Sequence, residues 1–387
     1  MRWHLLVIRW LSTVLGWAVL TANLDTAAAA PYRPSDDAQV LERLPSAGSK
    51  TVRELRELHA ELARSPQNLG LALRVARRDI AVARGEGDPR YNGYAEAALG
   101  PWLNLPDPPT DVVVLRATLR QARHDFPAAL VDLSRALSDN PGNAQAWLTR
   151  AVVLQVEGDY TKALGNCLSL ARFAETLVTA ICIDGVSGLS GRALASYDDL
   201  RQTLDHAPAD ENGEIRLWAL TVLAEAATRL DDFAAAERYF KEALALGIRD
   251  VYLLGAYADF LLDRNRPQEV RSLLGKEVRI DPLLLRLALA EQSLGVPELP
   301  SHIADLAERF SEARMRGDAV HQREEARFNL YLLKQPREAL RLAEANWAVQ
   351  REPWDARLLL EGALAANGPS AATAASSSKR ASQGSRC

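Results

Sequence analysis

The sequence predicts an all-α chain made of repeated helix pairs. Three observations predict it. Leu, Ala, Arg and Glu dominate, and all four favour helix. No stretch sustains the period-two alternation of a strand. A ladder of mostly small residues climbs the chain in steps of 34: Ala129 to Ala163, then Ala236 to Val270 to Ala304, with Ala339 a further 35 on. At 387 residues the chain is longer than one compact core usually organises, which suits an array of repeats.

The first element is a targeting segment, residues 1–30. Arg2, His4 and Arg9 make a basic start, Trp10 to Leu24 an apolar run, and Ala27 to Ala30 a small-residue cleavage region before Pro31. That order is the pattern of a secretory signal peptide. Cleavage after Ala29 is favoured over Ala30, because Pro31 is a poor first residue. An uncleaved anchor is the alternative, although the apolar run falls short of the ~20 residues a spanning helix needs. No later segment is apolar enough to span. The mature chain is therefore expected in the periplasm or secreted, with no stable membrane span. Residues 31–50 read as an extended N-terminal segment.

Residues 51–109 read as diverged helical repeats. Arg64-Ser65-Pro66-Gln67-Asn68 breaks them, and a proline-rich linker from Leu103 to Pro109 ends them. Regular repeats follow over 110–350. The clearest runs from Leu217 to Ile248, two helical halves split by Leu230-Asp231-Asp232. Ala224, Ala236 and Ala243 are its small residues, with Phe240 between the last two. The unit from Thr110 repeats this with Ala117, Ala129, Leu133 and Ala136. The unit from Ala144 does so with Trp147, Ala151 and Ala163. Asp139-Asn140-Pro141-Gly142-Asn143 stops one helix and caps the next. Pro267 and Pro336 fall in turns between helices. Between Ala163 and Ala236 the step is 73, two repeats plus five residues, with a degenerate rung near Ala193. The surplus is assigned to the polar run Asp205 to Glu214. A final capping helix is expected over 351–366 and an Ala/Ser-rich disordered tail over 367–387.

These residues and their spacing resemble the tetratricopeptide repeat, here in an exported bacterial chain. The resemblance implies a right-handed superhelical solenoid of antiparallel helix pairs. It also implies a concave groove lined by the first helix of each pair. Carried over, the groove residues are Gln145, Leu148, Val152 and Gln155 in one unit. Trp218, Thr221 and Glu225 follow in a second, and Tyr252 and Asp259 in a third. The Lys and Asn that clamp an acidic C-terminal tail in some family members are absent, which argues against that ligand.

Catalytic, cofactor and metal motifs are not found in the sequence. The histidines left after the leader are His59, His124, His206, His302 and His321, and none has ligand spacing. The stretch Gly185 to Gly191 lacks the strand and the Lys of a phosphate loop and reads as a turn. A net charge of −4 argues against nucleic acid. Cys167 and Cys182 should lie opposite one another across a turn near Ala174 and Glu175. They suit a disulfide in an oxidising compartment, or two buried thiols. Cys387 is expected to be free. The expected function is non-catalytic: a scaffold holding protein partners of the cell envelope in the groove. The alternative is a ligand-sensing or glycan-handling subunit of an envelope export or assembly machine.

Overall fold

The computed structural model describes residue 36 and residues 50–208, 212–318 and 320–367. The leader, most of the 31–50 segment and the tail with Cys387 lie outside the described residues. Two compact units divide the chain, Met1–Arg53 and Glu54–Cys387. The second is an all-α helical repeat. Among the described residues there are 18 α-helices and no strand.

Three helices come first: α1 Lys50–Arg64, α2 Leu69–Glu86 and α3 Arg90–Leu103. Seven pairs follow: α4 Thr110–Ala122 with α5 Phe126–Asp139, α6 Ala144–Val156 with α7 Tyr160–Leu170, and α8 Thr176–Leu189 with α9 Ala193–Asp205. Next are α10 Gly213–Arg229 with α11 Phe233–Ala245, α12 Val251–Asp263 with α13 Pro267–Leu274, and α14 Asp281–Leu294 with α15 Leu299–Met315. The last pair joins α16 Gln322–Arg327, extended by a π-turn over Phe328–Leu332, to α17 Pro336–Trp347. A single helix, α18 Pro353–Asn367, completes the order.

Local chemistry sets these boundaries. Asn68, Asn143, Asp159, Asp232 and Asp250 each accept a first-turn backbone N–H, satisfying a donor that the helix leaves orphaned. Pro267 and Pro336 open α13 and α17, where a missing N–H costs nothing.

The turn inside each of the seven pairs carries one left-handed residue: His124, Gly158, Gly191, Asp231, Asn265, Gly295 and Lys334. In six of these the following helix starts two residues later. The residue five past the turn then faces the partner helix: Ala129, Ala163 and Ala236 at 0% exposure, Val270 also at 0%, and Ala339 at 1%.

Two rungs are corrected. After Gly191 the buried small residue is Ser196, not Ala193. After Gly295 the turn is longer, so α15 is rotated: Ala304 is exposed, while Leu306 and Phe310 point inward. Nor is Gly185 to Leu189 a turn. It is the last part of α8, and the chain turns only at Ser190 to Arg192.

One continuous core runs from Leu177 to Leu332, with Phe240, Tyr257 and Phe260 ring against ring at 5.1–6.1 Å. Cys167 and Cys182 form a disulfide between α7 and α8, with Cα atoms 5.5 Å apart. The array also curls back on itself. Arg249 bridges Glu86 at the end of α2 and Glu277 before α14. Gly87, at φ 64°, sits against Val251 and Ile280, which a Cβ would approach to 3.1 Å. That close approach of α2 to α12 needs glycine.

Candidate interaction groove

The residues assigned to a groove from the sequence lie on α6, α10 and α12. On α6, Gln145 is exposed and donates to the Thr149 hydroxyl at 3.0 Å. Leu148, Val152 and Gln155 are half-buried. On α10, Trp218 is half-buried against the main core. Thr221 is buried and returns its hydroxyl to the Leu217 carbonyl at 2.8 Å, a bond inside its own helix. Thr221 is therefore not part of an accessible lining, contrary to the sequence reading.

Glu225 and Tyr252 meet between α10 and α12. The Tyr252 hydroxyl donates to the Glu225 carboxylate at 2.8 Å, while its ring remains 56% exposed. Glu225 close by, then burial of the hydroxyl, then Glu352 push the phenol well above its ordinary pKa. Burial pushes the Glu225 carboxyl up, and Glu352 and Asp259 add to it. Arg229 and the tyrosine hydroxyl act the other way. Glu352, from a distant part of the chain, thus acts on both groups.

Asp259 is the second correction. It is 4% exposed and bound by two arginines of this chain. Arg286 on α14 reaches Oδ2 at 2.6 Å, and Arg327 on α16 reaches Oδ1 at 2.8 Å. Burial alone would raise its pKa, but the two guanidinium groups outweigh it and hold the carboxyl below the usual range. No partner can reach it while this network stands. A π-turn over Phe328–Leu332 follows Arg327 directly.

The α17–α18 turn and the start of α18 make further contacts near α12 and α6. Arg357 of α18 makes a bidentate pair with Asp263 at 2.7 and 2.9 Å. Arg327 and Arg357 both stack on the Trp354 ring, 4.4 Å from its centroid. Arg323 binds Asp355 and Glu352. The Arg351 amide donates to the Val156 carbonyl at 2.7 Å, and the Arg351 carbonyl accepts from Tyr160 at 3.4 Å. The Gln350 amide lies 3.3 Å from His124 Nδ1. None of these residues stood out in the sequence. Their only sequence signal is arginine recurring on inner rows, which a chain rich in arginine conceals.

A separate open cavity of about 900 Å³ lies where the spacing breaks. Glu175, Thr176, Gln202, His206, Asn212 and Ile215 are among its lining residues. Among the described residues no group of three His, Cys, Asp or Glu is arranged to hold a metal. Among them, too, no helix is long and apolar enough to cross a membrane.

No protein-family model and no curated protein matches the chain. Solved structures similar to it include a Rap protein complexed with Competence and Sporulation Factor, at 15% identity and TM-score 0.48, covering 86% of this chain and 91% of that one. A tetratricopeptide repeat protein from Parabacteroides merdae is similar at 13% identity and TM-score 0.35, with coverage of 81% and 99%. The APC/C hetero-tetramer Cut9–Hcn1 is similar at 16% identity and TM-score 0.41, with coverage of 81% and 53%, so this chain spans about half the length of that one.

Proposed function

We propose that this tetratricopeptide-like helical repeat is a non-catalytic interaction scaffold of the cell envelope. It takes a partner peptide or helix against the part of its inner face that remains open. The single observation carrying this is the exposed Tyr252 ring, held by Glu225 on the inner row. An aromatic anchor fixed by a hydrogen bond suits a protein segment. The leader-like residues 1–30 favour the envelope, as does a disulfide in α7–α8, which persists in oxidising compartments.

The test is site-specific photo-cross-linking in intact cells. A photoreactive residue at Tyr252 is expected to capture one discrete protein, and the same residue at Val131, which is 69% exposed on α5, is not. Capture of the same protein from both sites, or of none from Tyr252, refutes the groove assignment.

The cavity of about 900 Å³ favours a second reading, a ligand-sensing or glycan-handling subunit. A thermal shift with envelope glycans that Thr203→Trp abolishes would support that reading. An unchanged shift would remove it.

A further inference from the structure

A relay of side-chain hydrogen bonds crosses the line where the array curls back on itself. It starts at the buried Asp355 carboxylate near the start of α18, which is paired with Arg323 of α16. A carboxylate paired in this way can only accept. Asn346 of α17 must therefore turn its amide nitrogen to Asp355 Oδ1, at 2.7 Å, which leaves its own oxygen as an acceptor. Gln350, in the α17–α18 turn, donates to that oxygen at 3.1 Å. The same Gln350 nitrogen lies 3.3 Å from Nδ1 of His124, in the α4–α5 turn 226 residues away. Each acceptor fixes the next donor. Nδ1 of His124 then has to offer a lone pair, and its ring proton has to sit on Nε2.

We infer that His124 and Gln350 form an acid-sensitive latch between the α4–α5 and α17–α18 turns, closed while Nδ1 is unprotonated and released when it takes a proton. The inference is independent of which partner the chain binds.

Three observations support it. The relay has no second arrangement. A proton on Nδ1 sets an N–H against the amide nitrogen of Gln350. Rotating that amide would offer His124 an oxygen but would leave two oxygens facing at Asn346. Asn346 cannot rotate in turn without aiming its oxygen at Asp355. Asn346 and Gln350 are both buried, so a lost partner is costly. The ring is also fixed in place. His124 sits in the left-handed region at φ 58° and stacks on Phe126, with ring centroids 5.4 Å apart. Finally, the surroundings disfavour a charged ring. Burial and then Arg323 lower the His124 pKa, and His321 adds to them, against the opposite pull of Glu324 and Asp355. Of its charged chain neighbours, Arg123 and Asp125, the arginine is paired with Glu96 of α3. A histidine lowered in this way steadies the closed form above its ordinary value of about 6.5. That contribution is lost as pH falls through the lower folded value.

Release is confined to the crossing contact. The α17–α18 hairpin keeps its bonds to the pair before it: Arg323 with Asp355, Arg327 on Trp354, and Leu358 packed with Ala326 and Leu330.

The experiment follows the full chain by hydrogen exchange, corrected for the intrinsic rate at each pH, and by magnetic resonance of isotope-labelled histidine. Protection of the Arg351 amide, which donates to Val156 beside the latch, should fall roughly fivefold or more from pH 7.5 to pH 5. That is the size of one hydrogen bond. The amides of α16 should stay protected. His124→Asn tolerates the left-handed backbone and takes up no proton, so the pH dependence disappears. His321→Asn keeps it. The neutral His124 ring should carry its proton on Nε2. Gln350→Glu sets a carboxylate against Nδ1 and should raise the His124 pKa, a change that a purely structural ring would not show.

Equal protection at the two pH values overturns the inference. The same loss in His124→Asn, a loss abolished by His321→Asn, or a neutral ring protonated on Nδ1 does so too. Loss of protection in α16 together with Arg351 would mean acid unfolding and not a latch. Where His124→Asn fails to fold, the wild-type tautomer and the response to Gln350→Glu decide the matter.

Discussion

Removing the Asp259 carboxylate should cost more than any other single change on the inner face. Asp259→Asn leaves Arg286 and Arg327, at 9% and 3% exposure, without their shared counter-charge. Breaking a buried ion pair from one side costs about 3–5 kcal/mol, because the remaining charge stays desolvated. Here the lower end applies. Arg286 keeps two carbonyl acceptors, Gly255 at 3.1 Å and Pro282 at 2.8 Å, and Arg327 keeps the face of Trp354. A loss of about 3 kcal/mol is therefore expected in urea unfolding near neutral pH. The pH dependence follows from the depressed carboxyl pKa of the folded chain. The contribution is complete above the unfolded value of about 4 and disappears as pH falls through the lower folded value. Wild type and Asp259→Asn should thus converge only at strongly acid pH. Replacing all three charges together, as Asp259→Leu with Arg286→Met and Arg327→Met, should restore most of the loss, because nothing charged is left stranded. A loss below about 1 kcal/mol for Asp259→Asn would mean that water reaches these groups, and the description of a sealed trio would be wrong.

Three further outcomes are expected. Asp184 on α8 has its pKa raised to about 6, by burial and then by Asp199 across the pair. Its protonated form favours folding at low pH, a contribution lost as pH rises from about 4 through about 6. Asp184→Asn should therefore raise the melting temperature at pH 7.5 and leave it nearly unchanged at pH 4; equal shifts at both would contradict the assignment. Replacing Cys167 and Cys182 with Ala, which opens a bridge with a sequence separation of 15, should cost about 3 kcal/mol in the chain-entropy account. Chemical denaturation of oxidised and reduced wild type checks this, with the Ala variant expected to match the reduced form. Gly158→Ala should cost about 1–2 kcal/mol from its left-handed backbone. Gly165→Ala, with nothing within 4 Å inside α7, should instead stabilise by about 0.5–1 kcal/mol. Equal effects at the two glycines in thermal melts would refute the strain argument.

The helix pairs were legible in the sequence because their packing is local. Ala129 and Ala163 stand 34 residues apart, and Ala236 takes the same place in a later pair, because each must fit against the helix that precedes it, where a larger side chain would force the pair apart. The ladder misled at Ala193 and Ala304 because spacing counts residues while packing depends on turn geometry. Two extra residues after Gly295 rotate α15, and the alanine in sequence register then faces solvent. The left-handed turn residues form a second ladder, with steps of 30 to 40 residues. It is hidden in the sequence because His124, Asp231, Asn265 and Lys334 hold positions where glycine would have announced the turn. Tyr252, assigned to the groove from the sequence, is exposed. Asp259 was read as a groove residue, but it is buried, and its burial depends on arginines 27 and 68 residues away.

That difference in range accounts for the inner face as a whole. Each pair constrains only its neighbour, so small rotations at successive turns accumulate into a curvature that no single repeat encodes. The tightness of the curl decides whether the inner rows remain a groove or close on themselves. Near α6 the row stays half-open, at Leu148, Val152 and Gln155. Between α12 and α18 it closes, and carboxylates that could receive a partner receive arginines of the same chain instead. Two kinds of closure are present there. The Asp259 trio is buried and behaves as part of the fold, whereas the Arg357–Asp263 pair is exposed and can exchange with solvent or a competing segment. A partner that opens the surface should therefore act first at Asp263 and the Arg351 turn, leaving Asp259 paired. Hydrogen exchange distinguishes the two directly: the Arg351 amide should exchange in a local opening while the amides of α12 and α14 around Asp259 stay protected. Simultaneous exchange of both would mean that the coil opens only by unfolding.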